Sequence, residues 1–160
     1  MYSITSESAS HPDILALVAA LDDYQTALYP AESNHLLDLS QLPDSALLMM
    51  VIRDNQLNAV GCGAIVLNGD GTGEMKRVFI DPRHRGQLLG EKLLAALEDE
   101  ALSRHCHTLR LETGIKQHAA VSLYERCGYH TRQAFAPYHD DPLSLFMEKA
   151  LVADVRLAVL

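Results

Sequence analysis

The chain has 160 residues, 48% of them hydrophobic and 21% charged, with 13 Lys and Arg against 21 Asp and Glu for a net charge of −8. That length suits one domain with a real core, and the acidic balance argues against a general nucleic-acid binder. The longest apolar runs, such as residues 46–52, fall far short of a membrane span, and no basic segment precedes an apolar one at the N-terminus, so a cytoplasmic protein without a secretory leader is expected.

In chain order, residues 2–6 alternate weakly and read as an edge strand. Ser10-His11-Pro12-Asp13 resembles a capping box with proline early in the first turn. Ile14, Leu17, Val18 and Leu21 recur at helical spacing, which predicts a helix to about Ala27. Tyr29-Pro30-Ala31 breaks it, and residues 32–39 read as a second short helix on Leu36, Leu37 and Leu39. Strands are predicted at 46–53, 57–67 and 73–80, joined by turns at Asp54-Asn55-Gln56 and Asn68-Gly69-Asp70-Gly71. Gly61 and Gly63 inside the second of these strands imply close approach by another group.

A helix over 86–103 shows Leu89, Leu93, Ala96 and Leu97 on one face. A short strand at 108–113, a helix at 117–126 and two closing strands at 129–135 and 143–150 complete the pattern. Residues 1–150 thus read as a single domain and 151–160 as an apolar tail that packs on the domain or on a partner chain, which leaves a homodimer open. The three cysteines, Cys62, Cys106 and Cys127, are an odd set with no C-x-x-C and read as reduced thiols. His105 and His107 lack further ligands at metal-site spacing, so no metal is expected.

Residues 78–94 carry the chemistry. A β-rich run, Val78-Phe79-Ile80, stops at Asp81-Pro82; a basic turn with Gly86 follows, and a leucine-rich helix opens. A helix N-terminus leaves backbone N–H groups without partners and carries partial positive charge, so this layout can hold a phosphate. Gly86 permits close backbone approach, and Arg83 and Arg85 add permanent charge. The P-loop and dinucleotide glycine patterns are both absent.

The segment resembles motif A of the GNAT superfamily of N-acetyltransferases, Q/R-x-x-G-x-G/A. Arg85 stands at its first position and Gly90 at its last, while Leu88 replaces the middle glycine and Gly86 lies two residues earlier. Residues 117–129, QHAAVSLYERCGY, resemble the family's second motif, N-x-x-A-x-x-L-Y-E-K-x-G-F. Ala120, Leu123, Tyr124, Glu125, Gly128 and Tyr129 match, and Gln117 stands where asparagine is common. The resemblance spans roughly residues 45–149.

This resemblance implies the GNAT fold, an α/β architecture with a single mixed central sheet flanked by helices in the order β-α-α-β-β-β-α-β-α-β-β. It implies acetyl-CoA as co-substrate and an amine acceptor, expected here to be a small molecule rather than a nucleic acid or a membrane component. It assigns Val78, Phe79 and Ile80 to the pantetheine arm. Arg85, Gly86, Gln87, Leu88, Leu89, Gly90 and Glu91 go to the phosphates, with Gln117 and Ala120 lining the same site. Tyr124 becomes the acid that protonates the departing thiolate, and Glu74 the base that takes the amine proton, with Glu112 as its rival and His118 and His139 as weaker ones. The acceptor is expected among Tyr29, Glu32, His35, Glu112 and Tyr138.

Overall fold

The computed structural model describes residues 1–29 and 38–152. Its elements are β1 (Ser3–Ser6), α1 (Pro12–Leu28), β2 (Leu47–Arg53), β3 (Ala59–Leu67), β4 (Thr72–Ile80), α2 (Leu89–Ser103), β5 (Thr108–Gly114), α3 (His118–Arg126), β6 (His130–Arg132) and β7 (Ser144–Ala150). The seven strands form one mixed sheet in the order β1-β2-β3-β4-β5-β7-β6. Every neighbouring pair is antiparallel except β4 and β5, which run parallel and are joined by the α2 crossover.

The sheet is covered on both faces, which explains why β2 reads as an unbroken apolar run. Leu48, Met50 and Ile52 face one way, with Ile65, Met75, Leu109, Leu111 and Met147, against Leu89, Leu93, Leu94 and Leu97 of α2. Met49 and Val51 face the other way, with Cys62 and Ala64, against Ile14 and Leu17 of α1. Each fully buried leucine contributes roughly 1.5–3 kcal/mol, so the α2 stripe is a main anchor of the fold. A Cβ on Gly63 would lie 2.9 Å from Leu97 and 3.3 Å from Leu93, so α2 seats directly on β3, the close approach expected of the strand glycines.

Several boundaries differ from expectation. The N-cap of α1 is His11, whose Nδ1 accepts from the Asp13 N–H, in place of Ser10. Residues 86–88 are not helical: Pro82–His84 forms a 3₁₀ turn and α2 begins at Leu89. Positive φ at Gly86 (84°) and Leu88 (59°) interrupts the helical path. The strand expected over 129–135 shrinks to β6, paired with β7 at the sheet edge. The second helix and the tail lie outside the described residues, apart from Leu39, which opens a 3₁₀ turn over Leu39–Gln41, and the first residues after β7. No described helix is long and apolar enough to cross a membrane.

The sheet is irregular at β4. Its register with β3 shifts between the pairs Cys62↔Phe79 and Ala64↔Lys76, so two β4 residues, Arg77 and Val78, oppose Gly63 alone. Arg77 takes φ 56° there. A bulge of this kind bends a strand and reverses which face its side chains occupy. Met75 points to the α2 side before the bulge; Val78 and Ile80 point there after it, while Phe79 packs on the α1 side. The parallel ladder with β5 ends at Met75↔Leu111, so β4 and β5 part over their C-terminal halves. This split, at the carboxyl ends of parallel strands, opens a cleft where ligands of open α/β sheets bind.

Candidate active site

One half of the cleft is built on the turn between β4 and α2. Its walls are Val78, Phe79 and Ile80 of β4; Arg85, Gly86, Leu88, Leu89, Gly90 and Glu91 of the turn and first helical residues; and Gln117, Ala120 and Leu123 beside α3. These residues are eleven of the twelve assigned to the co-substrate from sequence, joined by Leu123. The twelfth, Gln87, turns its side-chain amide toward the hydroxyl of Tyr2 at 3.0 Å.

Local chemistry shapes this wall. Asp81 accepts from the Arg83 backbone N–H at 2.9 Å and from its guanidinium, which holds the Asp81 carboxyl down at about 2. Arg85 Nε donates to the Ile80 carbonyl at 3.1 Å, which fixes the guanidinium against the end of β4. A Cβ added at Gly86 would meet nothing within 4 Å, so its left-handed backbone faces open space. Leu88 offers no side-chain cap to α2, and the first-turn N–H groups point at the turn. Gly90 serves packing as well, since a Cβ there would lie 2.9 Å from Leu123. Arg126 binds Glu91 at 2.6 Å and lowers its carboxyl, cancelling a negative charge at a helix start otherwise suited to an anion.

Leu88 is left-handed yet 66% exposed, so its side chain contributes little packing in return for the strained backbone. Replacing it with glycine removes a penalty of about 1–2 kcal/mol and adds about 0.4–1 kcal/mol of unfolded-state entropy. Denaturant unfolding of Leu88→Gly should therefore show a gain of up to about 1 kcal/mol, and Leu88→Val a loss.

The other half of the cleft lies between the diverging strands on the α1 side. Gln25, Tyr29, Glu74, Lys76, Arg77, Glu112, Thr113, Gly114, Gln117 and Ser144 line it. Glu74 and Lys76 alternate with Met75 and so face α1. The Tyr138 hydroxyl donates to Glu74 Oε2, accepts from Lys76 Nζ at 2.7 Å, and Lys76 itself sits 3.0 Å from Glu74. Burial and the neighbouring carboxylate push the Tyr138 phenol well above its ordinary range, so it stays protonated. Glu112 accepts from the Ser144 hydroxyl at 2.8 Å.

Arg77 is buried by the bulge, with Nε 3.1 Å from Asp22 Oδ1 of α1. Burial raises the Asp22 carboxyl and the Arg77 charge partly opposes that. Tyr29, at the end of α1, accepts the Lys116 backbone N–H at 2.9 Å, while Lys116 Nζ donates to the Leu28 carbonyl at 3.2 Å. These bonds tie α1 across the mouth of the cleft to the β5–α3 turn. Gly114 makes the tie possible, because a Cβ there would collide with the Tyr29 ring.

The two halves meet at Gln117. Its side-chain oxygen accepts from the Gly114 N–H at 3.0 Å and from the Thr113 hydroxyl at 3.2 Å, which clips the start of α3 to the end of β5. Tyr124 is 6% exposed in the α2-side core, one helical turn beyond Ala120 and edge-on to Tyr129 at 5.8 Å. Burial raises its phenol. Ala120 and Leu123 are on the wall of the cleft; Tyr124 stands behind them. Glu32 and His35 lie outside the described residues. Gln25, Lys76, Arg77 and Ser144 went unassigned from sequence: each is a single polar residue that no local motif marks, and the cleft joins them from α1, β4 and β7. Burial pushes the Cys62 thiol up to about 12, which leaves it unreactive.

The sequence profile of the acetyltransferase (GNAT) family matches residues 14–129. An IAA acetyltransferase of Azospirillum brasilense is 45% identical over 150 residues, which cover 93% of this chain and 97% of the relative. A solved structure of a candidate acyl-CoA N-acyltransferase from Klebsiella pneumoniae shares 60% identity, covers 95% of this chain and 99% of its own, and superposes with a TM-score of 0.87. At 18% identity, a Vibrio cholerae spermidine N-acetyltransferase, solved with CoA and spermine, shares the fold with a TM-score of 0.68 over 92% of this chain and 95% of its own. With the split sheet and the glycine turn beside it, these matches place the chain in the GNAT family of N-acetyltransferases, and the protein is an acyltransferase.

Proposed function

We propose that the protein transfers the acetyl group of acetyl-CoA to the amine of a small molecule, with both substrates held in the cleft at once. The observation that carries this reading is the junction at Gln117 between a phosphate-suited half and a polar half. Acetyl-CoA, when bound, supplies an acyl carbon already activated as a thioester. The turn from Arg85 to Gly90 and the α2 N-terminus hold its phosphates. Val78, Phe79 and Ile80, running past the end of the β5 ladder, pair with its amides as a strand would. A backbone N–H next to Phe79, on the edge of β4 turned away from the β3 ladder, serves as oxyanion donor.

Glu74 takes the amine proton, and its contacts with Tyr138 and Lys76 hold the carboxylate in place. Tyr124, kept protonated by burial, returns a proton to the departing sulfur. The acceptor side is a small set of polar side chains between α1, β4 and β5, Tyr29 among them, which supports a small amine as acceptor. The Azospirillum relative, whose name gives IAA and not a protein as its substrate, agrees with that choice.

Release of CoA thiol across small primary amines and across peptides tests the reading. Turnover on small amines is expected. Turnover confined to peptides would move the acceptor to proteins, and CoA binding with no release on any acceptor would make the chain a sensor. For Glu74→Gln, the rate should fall mainly at low pH and recover as the amine deprotonates unaided. An unchanged pH–rate profile would transfer the role to Glu112 or to water.

A further inference from the structure

We infer that Tyr2 is a positioning residue for the co-substrate's phosphate groups, acting through the turn that holds them. Tyr2 precedes edge strand β1, and its half-buried ring packs on the α2-side core. Its hydroxyl accepts from Gln87 Nε2 at 3.0 Å and lies 3.0 Å from His84 Nδ1. The phenol donates to that nitrogen when the imidazole is neutral with its proton on Nε2. The two rings meet edge to face at 5.8 Å, and the Gln87 amide also reaches the His84 carbonyl at 3.5 Å.

These contacts bracket the left-handed glycine of the turn. Gly86 sits between His84 and Gln87 with φ 84°, and Leu88 follows at φ 59°. The Asp81 N–H bonds the Val60 carbonyl of β3 at 2.8 Å and Arg85 bonds the Ile80 carbonyl at 3.1 Å; both tie the sheet to the β4 end of the turn, and Gln87 lies beyond them. Tyr2 reaches the turn from 82 and 85 residues away. Fixing a residue's backbone costs conformational entropy. A turn held before the ligand arrives does not lose that entropy on binding, so the Tyr2 hydroxyl belongs to the affinity for phosphates and not to the chemical step.

The inference rests on the acetyl-CoA reading, and the test separates the two. Tyr2→Phe keeps the ring and removes only the hydroxyl; Gln87→Met removes the amide and keeps the length. CoA affinity is measured by calorimetry, and turnover is compared for acetyl-CoA and S-acetylpantetheine, which lacks the pyrophosphate and nucleotide. Each variant should raise the Kd for CoA and the KM for acetyl-CoA about three- to tenfold, the size of one or two net hydrogen bonds. The kcat and the KM for S-acetylpantetheine should hold within about twofold, and the double variant should be no weaker than the worse single one. An equal rise in KM for both thioesters, or no change in the Kd for CoA, overturns the role of Tyr2. A parent protein that fails to bind CoA overturns the acetyl-CoA reading itself.

Discussion

Gly86→Asp is expected to weaken CoA binding by on the order of a hundredfold or more while the protein stays folded. Gly86 has φ 84° and open space where a side chain would project. An aspartate there meets two separate penalties. The left-handed backbone costs an L-residue about 1–2 kcal/mol. Its carboxylate then faces phosphate: a pair of like charges about 4 Å apart near a protein surface repels by roughly 4 kcal/mol. Gly86→Asn isolates the charge, because asparagine takes the left-handed region about as readily as aspartate and carries no charge. Thermal shift with CoA should be near normal for Gly86→Asn and absent for Gly86→Asp. Melting without ligand should be similar for both, since the turn lies outside the core. A Gly86→Asp protein that binds CoA as tightly as the parent would show that the phosphates sit elsewhere.

Tyr124→Phe carries the second large effect. Proposed as the acid, Tyr124 would lose only its O–H, and the ring would keep its edge contact with Tyr129 and its place in the core. The kcat should fall about 10- to 10⁴-fold, the upper part being typical of general acid catalysis. The KM for acetyl-CoA should move far less, because the lost interaction belongs to the transition state. Burial raises the phenol, so the hydroxyl stays protonated through the neutral range and the parent should show no alkaline loss of rate from this group below pH 10. The position of Tyr124 behind Ala120 and Leu123 makes this experiment decisive. If kcat holds and the KM for acetyl-CoA rises, Tyr124 shapes the wall on which Ala120 sits, and solvent or another group protonates the sulfur.

The half of the cleft proposed for the phosphates was legible in the sequence because its determinants are local. A glycine in a basic turn before a leucine-rich helix states its own backbone requirement, and eleven of the twelve residues assigned there do line the cleft. The start of α2 was read three residues early, because Leu88 at a left-handed N-cap gives no compositional warning where glycine would. The half proposed for the acceptor was only partly legible. Glu74, Glu112 and Tyr29 line it, and Tyr138 reaches it by bonding to Glu74 across 64 positions. Arg77 passed unnoticed, since a charged residue in a strand reads as solvent-facing until a bulge turns it inward.

The sequence by itself therefore determined the order of the described helices and strands, the apolar run that becomes β2 and the anion-suited turn, all products of periodicity and backbone preference within about ten residues. The tertiary structure decided the rest. The bulge at Arg77 reverses the facing of β4, and the ladder with β5 stops at Met75↔Leu111, so the sheet opens there. Gly90 admits Leu123, Tyr29 ties α1 to Lys116, and Tyr2 reaches the phosphate turn. Each of these depends on atoms brought together from distant parts of the chain. Their energies arise only once the core has set the distance between them, and no local pattern of residues carries that information.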